Sequence, residues 1–323
     1  MSKVLSAILS IFIIINRTAC STADINVGNS SVTDGNISIV TTIFPEYDWV
    51  REIAKDRMSG IDLTLLSDNG ADIHSYQPSA DDILKIINCD IFIYVGGESD
   101  EWVEDALAEA VNKDMKVINL LETLGDLAKE EETKEGMQAE KEEEAGYDEH
   151  VWLSLKNAHV FVTEIANVMG KVDPAGKDIY LANADAYNKK LKSLDDRYKE
   201  AVAQGDKDTL LFADRFPFRY LAYDYGLDYY AAFSGCSAET EASFETIVFL
   251  SAKVDELGLD TVLTIDGSDQ RVAKTVIRNT SSGSPKITVM NSMQSVTASD
   301  ISEGMTYLSV MEDDLEVLRA ALE

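Results

Sequence analysis

Between residues 173 and 205 the sequence writes one long amphipathic helix, and the rest of the chain has to be arranged around it. Tyr180, Ala184, Tyr187, Leu191, Leu194, Tyr198 and Ala201 recur at alternating spacings of four and three, which puts them in one stripe on a single helix face. Asp173-Pro174 predicts the opening, with capping chemistry and a proline tolerated in the first turn, and Gly205 follows the end. From Ala175 to Ala203 such a helix runs roughly 40 Å, enough to traverse two lobes and limit hinge motion between them.

Both flanks of this helix alternate between strand and helix signals. Before it come four short runs rich in branched apolar residues: Ile37 to Ile43, Leu63 to Leu66, Ile91 to Val95 and Val117 to Leu121. Helical periodicity separates them at Tyr47 to Met58, Ala80 to Ile87 and Glu101 to Val111. After it, Leu210 to Ala213, Asp228 to Phe233, Thr261 to Ile265 and Ile287 to Met290 form a second set, with helical stretches at Phe244 to Glu256, Gln270 to Asn279 and Ile301 to Leu322. The expected fold class is α/β, with two lobes, each a mainly parallel four-stranded sheet with flanking helices, joined by one rigid backbone helix. The lobes are expected over 37–172 and 205–323, with the linking helix over 173–204.

The N-terminus reads differently. Lys3 precedes a run from Val4 to Ile15 in which only Ser6 and Ser10 are polar, too short to span a bilayer and suited to the apolar core of a signal peptide over 1–19. Thr18 and Ala19 before Cys20 resemble a bacterial lipobox, with Arg17 departing from the pattern, so Cys20 is the expected lipid anchor. The alternative is an ordinary signal peptide with an incidental cysteine. Residues 20–36, rich in Ser, Asn, Gly and Asp, read as a flexible tether. The chain is therefore expected outside the cytoplasm, on the outer face of a bacterial cell membrane.

Charge narrows the partners. With 28 Lys plus Arg against 58 Asp plus Glu, the net charge is −30, which excludes a nucleic-acid partner and any membrane contact beyond a lipid anchor. Ten of the acidic residues fall in Lys129 to Glu149, read as a solvated loop that also concentrates cations if a site lies beside it. Cys89 and Cys236 show no metal-ligand spacing; they read as buried thiols or, in an oxidising exterior, as a pair, and neither is expected to carry chemistry.

Three histidines remain. His74 follows a predicted strand in Asp72-Ile73-His74-Ser75-Tyr76-Gln77-Pro78, at the carboxyl end where parallel sheets place ligands. His150 ends the acidic loop in Asp148-Glu149-His150-Val151-Trp152-Leu153. Neutral imidazoles amid carboxylates suit zinc and other transition divalents. His159 lies in the amphipathic stretch Asn157 to Met169 and reads as a helix-surface residue.

From Ile37 onward the chain resembles the solute-binding proteins of zinc and manganese ABC importers. Ile43-Phe44-Pro45, the His74 loop, Phe92-Ile93-Tyr94-Val95-Gly96-Gly97 with Trp102, and the His150 motif stand in family order, followed by Phe216, Tyr225-Gly226-Leu227 and Glu241-Ala242-Ser243. The resemblance implies that His74 and His150 are the first lobe's metal ligands. In the second lobe the sequence departs: where the family offers His or Glu shortly before the residue matched by Phe216, it has Phe212-Ala213-Asp214-Arg215, and the family's last carboxylate falls at Asn291. Candidates to complete the site are Asp214, Glu241, Glu239 and Asp266; Arg215 either faces the cleft and repels metal or pairs with Asp214, Glu239 or Glu241.

The resemblance implies a binding protein and no enzyme, a monomer that captures Zn2+, or Mn2+ as the alternative, between its lobes and delivers it to an ABC permease and its ATPase. Affinity is expected to fall as the imidazoles protonate, near pH 6.5. A zinc-dependent hydrolase is the competing class, although the chain has no His-Glu-x-x-His and no Gly-x-Ser-x-Gly. A surface adhesin or sensor that has lost transport is the third.

Overall fold

The computed structural model describes residues 36–138, 146–237, 241–281 and 284–323. Its first sheet contains β1 (Ile37–Thr41), β2 (Ile61–Leu65), β3 (Ile91–Tyr94) and β4 (Lys116–Asn119), in the order β2-β1-β3-β4. The second contains β5 (Thr209–Phe216), β6 (Asp228–Ser234), β7 (Thr261–Ile265) and β8 (Lys286–Met290), in the order β6-β5-β7-β8. Every pairing is parallel, so each strand returns through a helix that covers a sheet face. The two-lobed α/β fold is the expected one.

Register is regular in the first sheet, where Ile39 stands opposite both Leu63 and Ile91. In the second it slips once. Phe212 pairs with Ala231 but Arg215 with Phe233, so β5 carries one extra residue at Ala213-Asp214. Such a bulge re-aims the side chains that follow it.

The linking helix runs Lys177–Gln204, and all seven residues of the predicted stripe are buried. It packs along helix Leu155–Val172 and against helices Phe44–Ala54 and Tyr307–Leu322, which belong to opposite ends of the chain. Tyr198 OH donates to Met311 O at 2.7 Å. Its start differs from expectation: Gly176 is the N-cap, and the Asp173 carboxylate instead accepts from Arg57 Nη2 at 2.6 Å and Tyr180 OH at 2.8 Å. Its Oδ1 still accepts from Ala175 N at 3.1 Å, so the carboxylate braces the turn before the helix while its other oxygen serves the guanidinium and the hydroxyl. The predicted C-terminal helix is divided into Ala298–Ser302 and Tyr307–Leu322 by a turn at Gly304, whose φ is +100°.

Helix Phe44–Ala54 begins on a buried carboxyl. Glu46 Oε2 accepts from Thr42 N at 2.8 Å and Ile43 N at 3.3 Å, while its Oε1 is buried without a hydrogen-bond partner. Burial raises its pKa to about 8, with those backbone donors opposing and Asp100 adding repulsion. The folded state thus keeps a proton that the unfolded chain gives up near pH 4.5. Stability from this group is present in acid and is lost as pH rises toward about 8. Glu46→Gln, which mimics the protonated form, is expected to melt higher than the parent at pH 8, with the gap closing toward pH 5 in thermal scans.

Candidate metal centre

His74 sits on a single turn, Ile73–Ser75, that caps the loop after β2. Asp72 forms the cap, its Oδ1 accepting from His74 N at 3.0 Å. His150 immediately precedes another single turn, Val151–Leu153, and is fully buried. Asp148 fixes it by accepting from both His150 N at 2.9 Å and His150 Nδ1 at 3.0 Å. That bond puts the proton on Nδ1 and leaves Nε2 as a lone pair.

The two rings face each other, with His74 Nε2 3.2 Å from His150 Nε2. On its far side His74 Nδ1 is 2.8 Å from Ser99 Oγ and 3.4 Å from Glu149 Oε2. The Glu149 contact is too long for a strong hydrogen bond, but its charge favours the N–H on Nδ1. Two Nε2 lone pairs are therefore opposed, which needs a proton or a metal ion between them. Two nitrogens of a tetrahedral zinc with bonds of about 2.0 Å stand about 3.3 Å apart, close to the observed separation.

Electrostatics divide the pair. Burial and the neighbouring His150 lower the His74 pKa to about 3. Burial also opposes a charge on His150, but the Asp148 hydrogen bond and carboxylate outweigh it and raise its pKa. Around them, burial first and Asp148 after it push up the carboxyls of Glu131 and Glu149. A cation would relieve all of these groups together.

A third donor comes from the second lobe. Cys236 lies in the turn after β6, and its Sγ forms with the two imidazoles a group whose ligand atoms all lie within 4.8 Å of one another. Among the described residues it is the one such group, and it contains no carboxylate. The expectation that Cys236 carries no chemistry is thus at odds with its position. Cys89 is separate, buried, and 3.5 Å from Met115 Sδ; both thiols are free.

Gly235 makes the approach of this turn possible. A Cβ there would lie 2.9 Å from Phe216 O and 3.0 Å from His150 Cε1, so the backbone rests directly on the ring. Glu131, from the acidic segment, holds the same turn: its Oε1 accepts from Gly235 N at 2.8 Å, and Cys236 Sγ is 3.5 Å from its Oε2. The segment's base is therefore no solvated loop. Glu131 N donates to Gly146 O, Asp148 N to Lys129 O and Gln138 N to Ala232 O. Residues 139–145 lie outside the described residues.

Of the other sequence-predicted candidates, Asp214 and Asp266 share a cleft with His74 but stand outside the three-residue group. Asp266 accepts from Ser292 N and Ser292 Oγ, both at 2.6 Å, and from Ser295 N and Oγ, so it holds the turn after β8. Asp214 accepts from Arg215 N at 2.9 Å through Oδ1, while its Oδ2 is buried without a hydrogen-bond partner. It lines a cleft of about 540 Å³ shared with Asp72, His74, Arg215 and Asp266. Glu241 is exposed, and Glu239 and Cys20 lie outside the described residues. Asn291 accepts from Met293 N. Gln294, which the sequence reading missed, brings Oε1 to 3.4 Å from His150 Nε2.

Arg215 takes neither anticipated role. Its Nη2 donates to Asp72 Oδ2 at 2.5 Å, an ion pair from β5 to the loop that carries His74. Burial works against the Asp72 charge, yet Arg215 and His74 hold its pKa below the ordinary value. The bulge at Ala213-Asp214 accounts for this aim. His159 is exposed on its helix, as expected.

Two parallel α/β sheets bridged by one long helix, with paired imidazoles in loops beside the first sheet, define a two-lobed architecture of the solute-binding type. The chain belongs to the ZnuA family, described as zinc-uptake complex component A, periplasmic, whose pattern matches residues 39–321. It is 30% identical to the zinc-binding lipoprotein AdcA of Streptococcus pneumoniae over 98% of this chain and 60% of that protein, so it spans well under the full length of that relative. It is 27% identical to the high-affinity zinc uptake system protein ZnuA of Bacillus subtilis, over 91% of this chain and 90% of that one. The crystal structure of the Zn(II)-bound ZnuA-like domain of S. pneumoniae AdcA superposes with a TM-score of 0.70 at 31% identity, covering 89% of this chain and 99% of that domain.

Gly235→Ala tests the close approach. The added methyl is expected to cost about 1–3 kcal/mol, as overpacking does, and to lower the thermal midpoint in calorimetry.

Proposed function

We propose that this protein is the extracytoplasmic binding component of a zinc ABC importer, tethered to the membrane through a lipid on Cys20. It captures Zn2+ between its lobes through Nε2 of His74 and Nε2 of His150 and hands the ion to a permease driven by an ATPase. The observation that carries this reading is the pair of opposed Nε2 atoms, 3.2 Å apart with each Nδ1 held from behind. The names of the similar proteins, a zinc-binding lipoprotein and a zinc uptake component, support the same cargo. Manganese is the poorer fit, because the donor group among the described residues has nitrogen and sulfur and no carboxylate oxygen.

The surroundings suit capture and release without a reaction. Asp148, Ser99 and Glu149 orient the imidazoles, as outer-shell partners of metal-bound histidines do. The Arg215–Asp72 ion pair ties the second lobe to the His74 loop, so it slows the escape of a bound ion.

In a zinc titration of the full-length chain, His74→Ala and His150→Ala are each expected to weaken binding by at least about 100-fold, beyond the loss of an outer-shell partner. Unchanged affinity in both would overturn the site. Arg215→Ala is expected to speed zinc dissociation by about tenfold, equivalent to about 1.4 kcal/mol. In stopped-flow exchange, Asp72→Asn added to that variant should have little further effect, because the two residues act as one tie.

A further inference from the structure

We propose that Cys236 is the second lobe's metal ligand, binding as a thiolate, so that the cargo site is a His2Cys centre that favours soft divalent ions. The inference rests on the reading of His74 and His150 as ligands and adds the chemistry that decides which ion they hold.

Three independent features of the second lobe lead to it. Two to three residues before Phe216, where the resemblance to the transport family leads one to expect an imidazole or carboxylate, stand Ala213, whose methyl is buried with Leu211, Ala232 and Phe233 in that lobe's core, and Asp214, offset by one residue, whose Oδ1 accepts from Arg215 N. Strand β5 therefore brings no imidazole to the cleft. The turn after β6, by contrast, is drawn onto the His150 ring by Gly235, where any larger residue would meet Phe216 O and His150 Cε1 within 3.0 Å. The next residue is Cys236, and its Sγ and one ring nitrogen each of His74 and His150 lie within 4.8 Å of one another; sulfur and nitrogen on one tetrahedral zinc stand about 3.5 Å apart, so the turn closes onto the ion as it binds.

The turn is held for this purpose from outside the cleft. Glu131 Oε1 accepts from Gly235 N at 2.8 Å and from Cys236 N at 3.4 Å, and its Oε2 stands 3.5 Å from Sγ. The backbone of the donor is thus fixed by a carboxylate that lies behind it. Gln294 Oε1, 3.4 Å from His150 Nε2 and with its Nε2 donating to Ser292 Oγ at 3.2 Å, offers a neutral oxygen on the remaining side.

Ligation breaks the Cys236 S–H bond and forms a metal–sulfur bond, and the proton leaves to solvent. One thiolate and two neutral imidazoles select zinc and cobalt over manganese, whose preference is for oxygen.

The test compares the full-length parent with Cys236→Ser, Cys236→Ala and the His74→Ala/His150→Ala double variant, each titrated with Zn2+, Co2+ and Mn2+. The cobalt-loaded parent is expected to show a near-ultraviolet sulfur-to-cobalt charge-transfer band, which does not depend on the folding of any variant. Cys236→Ser retains Cys20 and Cys89 and should lose the band. Zinc affinity should drop by at least about 100-fold in both Cys236 variants, and the preference for zinc over manganese should shrink with it. If the band is missing from the parent, or persists in Cys236→Ser, or if both Cys236 variants bind zinc within threefold of the parent while the double histidine variant does not bind, the thiolate assignment is overturned and the histidine site stands. If the double histidine variant binds as the parent does, the cleft reading falls, and this inference with it.

Discussion

Two imidazole nitrogens with opposed lone pairs, 3.2 Å apart in a buried site, set the terms for everything around them. A proton between them makes one hydrogen bond; a cation in its place makes both nitrogens corners of a coordination shell. The protein therefore has to hold them where neither can turn away. It does so from behind, with Asp148 on one Nδ1 and Ser99 beside Glu149 on the other. Each of these partners lies in a loop at the carboxyl side of the first sheet or in the acidic segment, which explains why the base of that segment is clamped to the body by backbone hydrogen bonds.

The second lobe is locked to the same loops. Trp152, two residues after His150, donates its Nε1 to Ser292 O at 2.9 Å, and its carbonyl accepts from Tyr307 OH at 2.7 Å. Tyr307 N in turn donates to Asp48 Oδ2 at 2.8 Å in the first lobe. Asp266 braces the turn that carries Ser292 and Gln294. The polar ties converge on the residues next to the imidazoles, and the long helix, buried along one face, supplies the apolar continuity behind them. A scaffold tied in this way yields at its loops and side chains before its lobes separate.

Periodicity made the scaffold readable. Thr261–Ile265 matches its predicted strand, and the stripe from Tyr180 to Ala201 is buried throughout, because strand and helix periods are local properties. Asp173 misled because its carboxylate serves Arg57, a partner far away in sequence. The same limit governs the centre. His74 and His150 stand out as imidazoles in loops among carboxylates, and the structure brings them together. Cys236 has an equivalent place, directly after a strand, but no spacing ties it to the histidines; the Gly-Cys pair at a strand end was the only local signal. Asp214 and Asp266 have the chemistry of ligands, but Arg215 N takes one oxygen of the first and the 292–295 turn takes both oxygens of the second, which sequence alone does not display.

The bulge in β5 has an effect on what this architecture tolerates. One extra residue bends the strand and interrupts its alternation of side chains only locally, since Phe216 beyond it still packs its ring against Phe212 in the same core. Phe212, ahead of the insertion, stays in the core, while Arg215 reaches the opposite lobe. Packing and cleft lining are thereby uncoupled within a single strand. The groups at the strand tip can thus differ without rebuilding the sheet beneath.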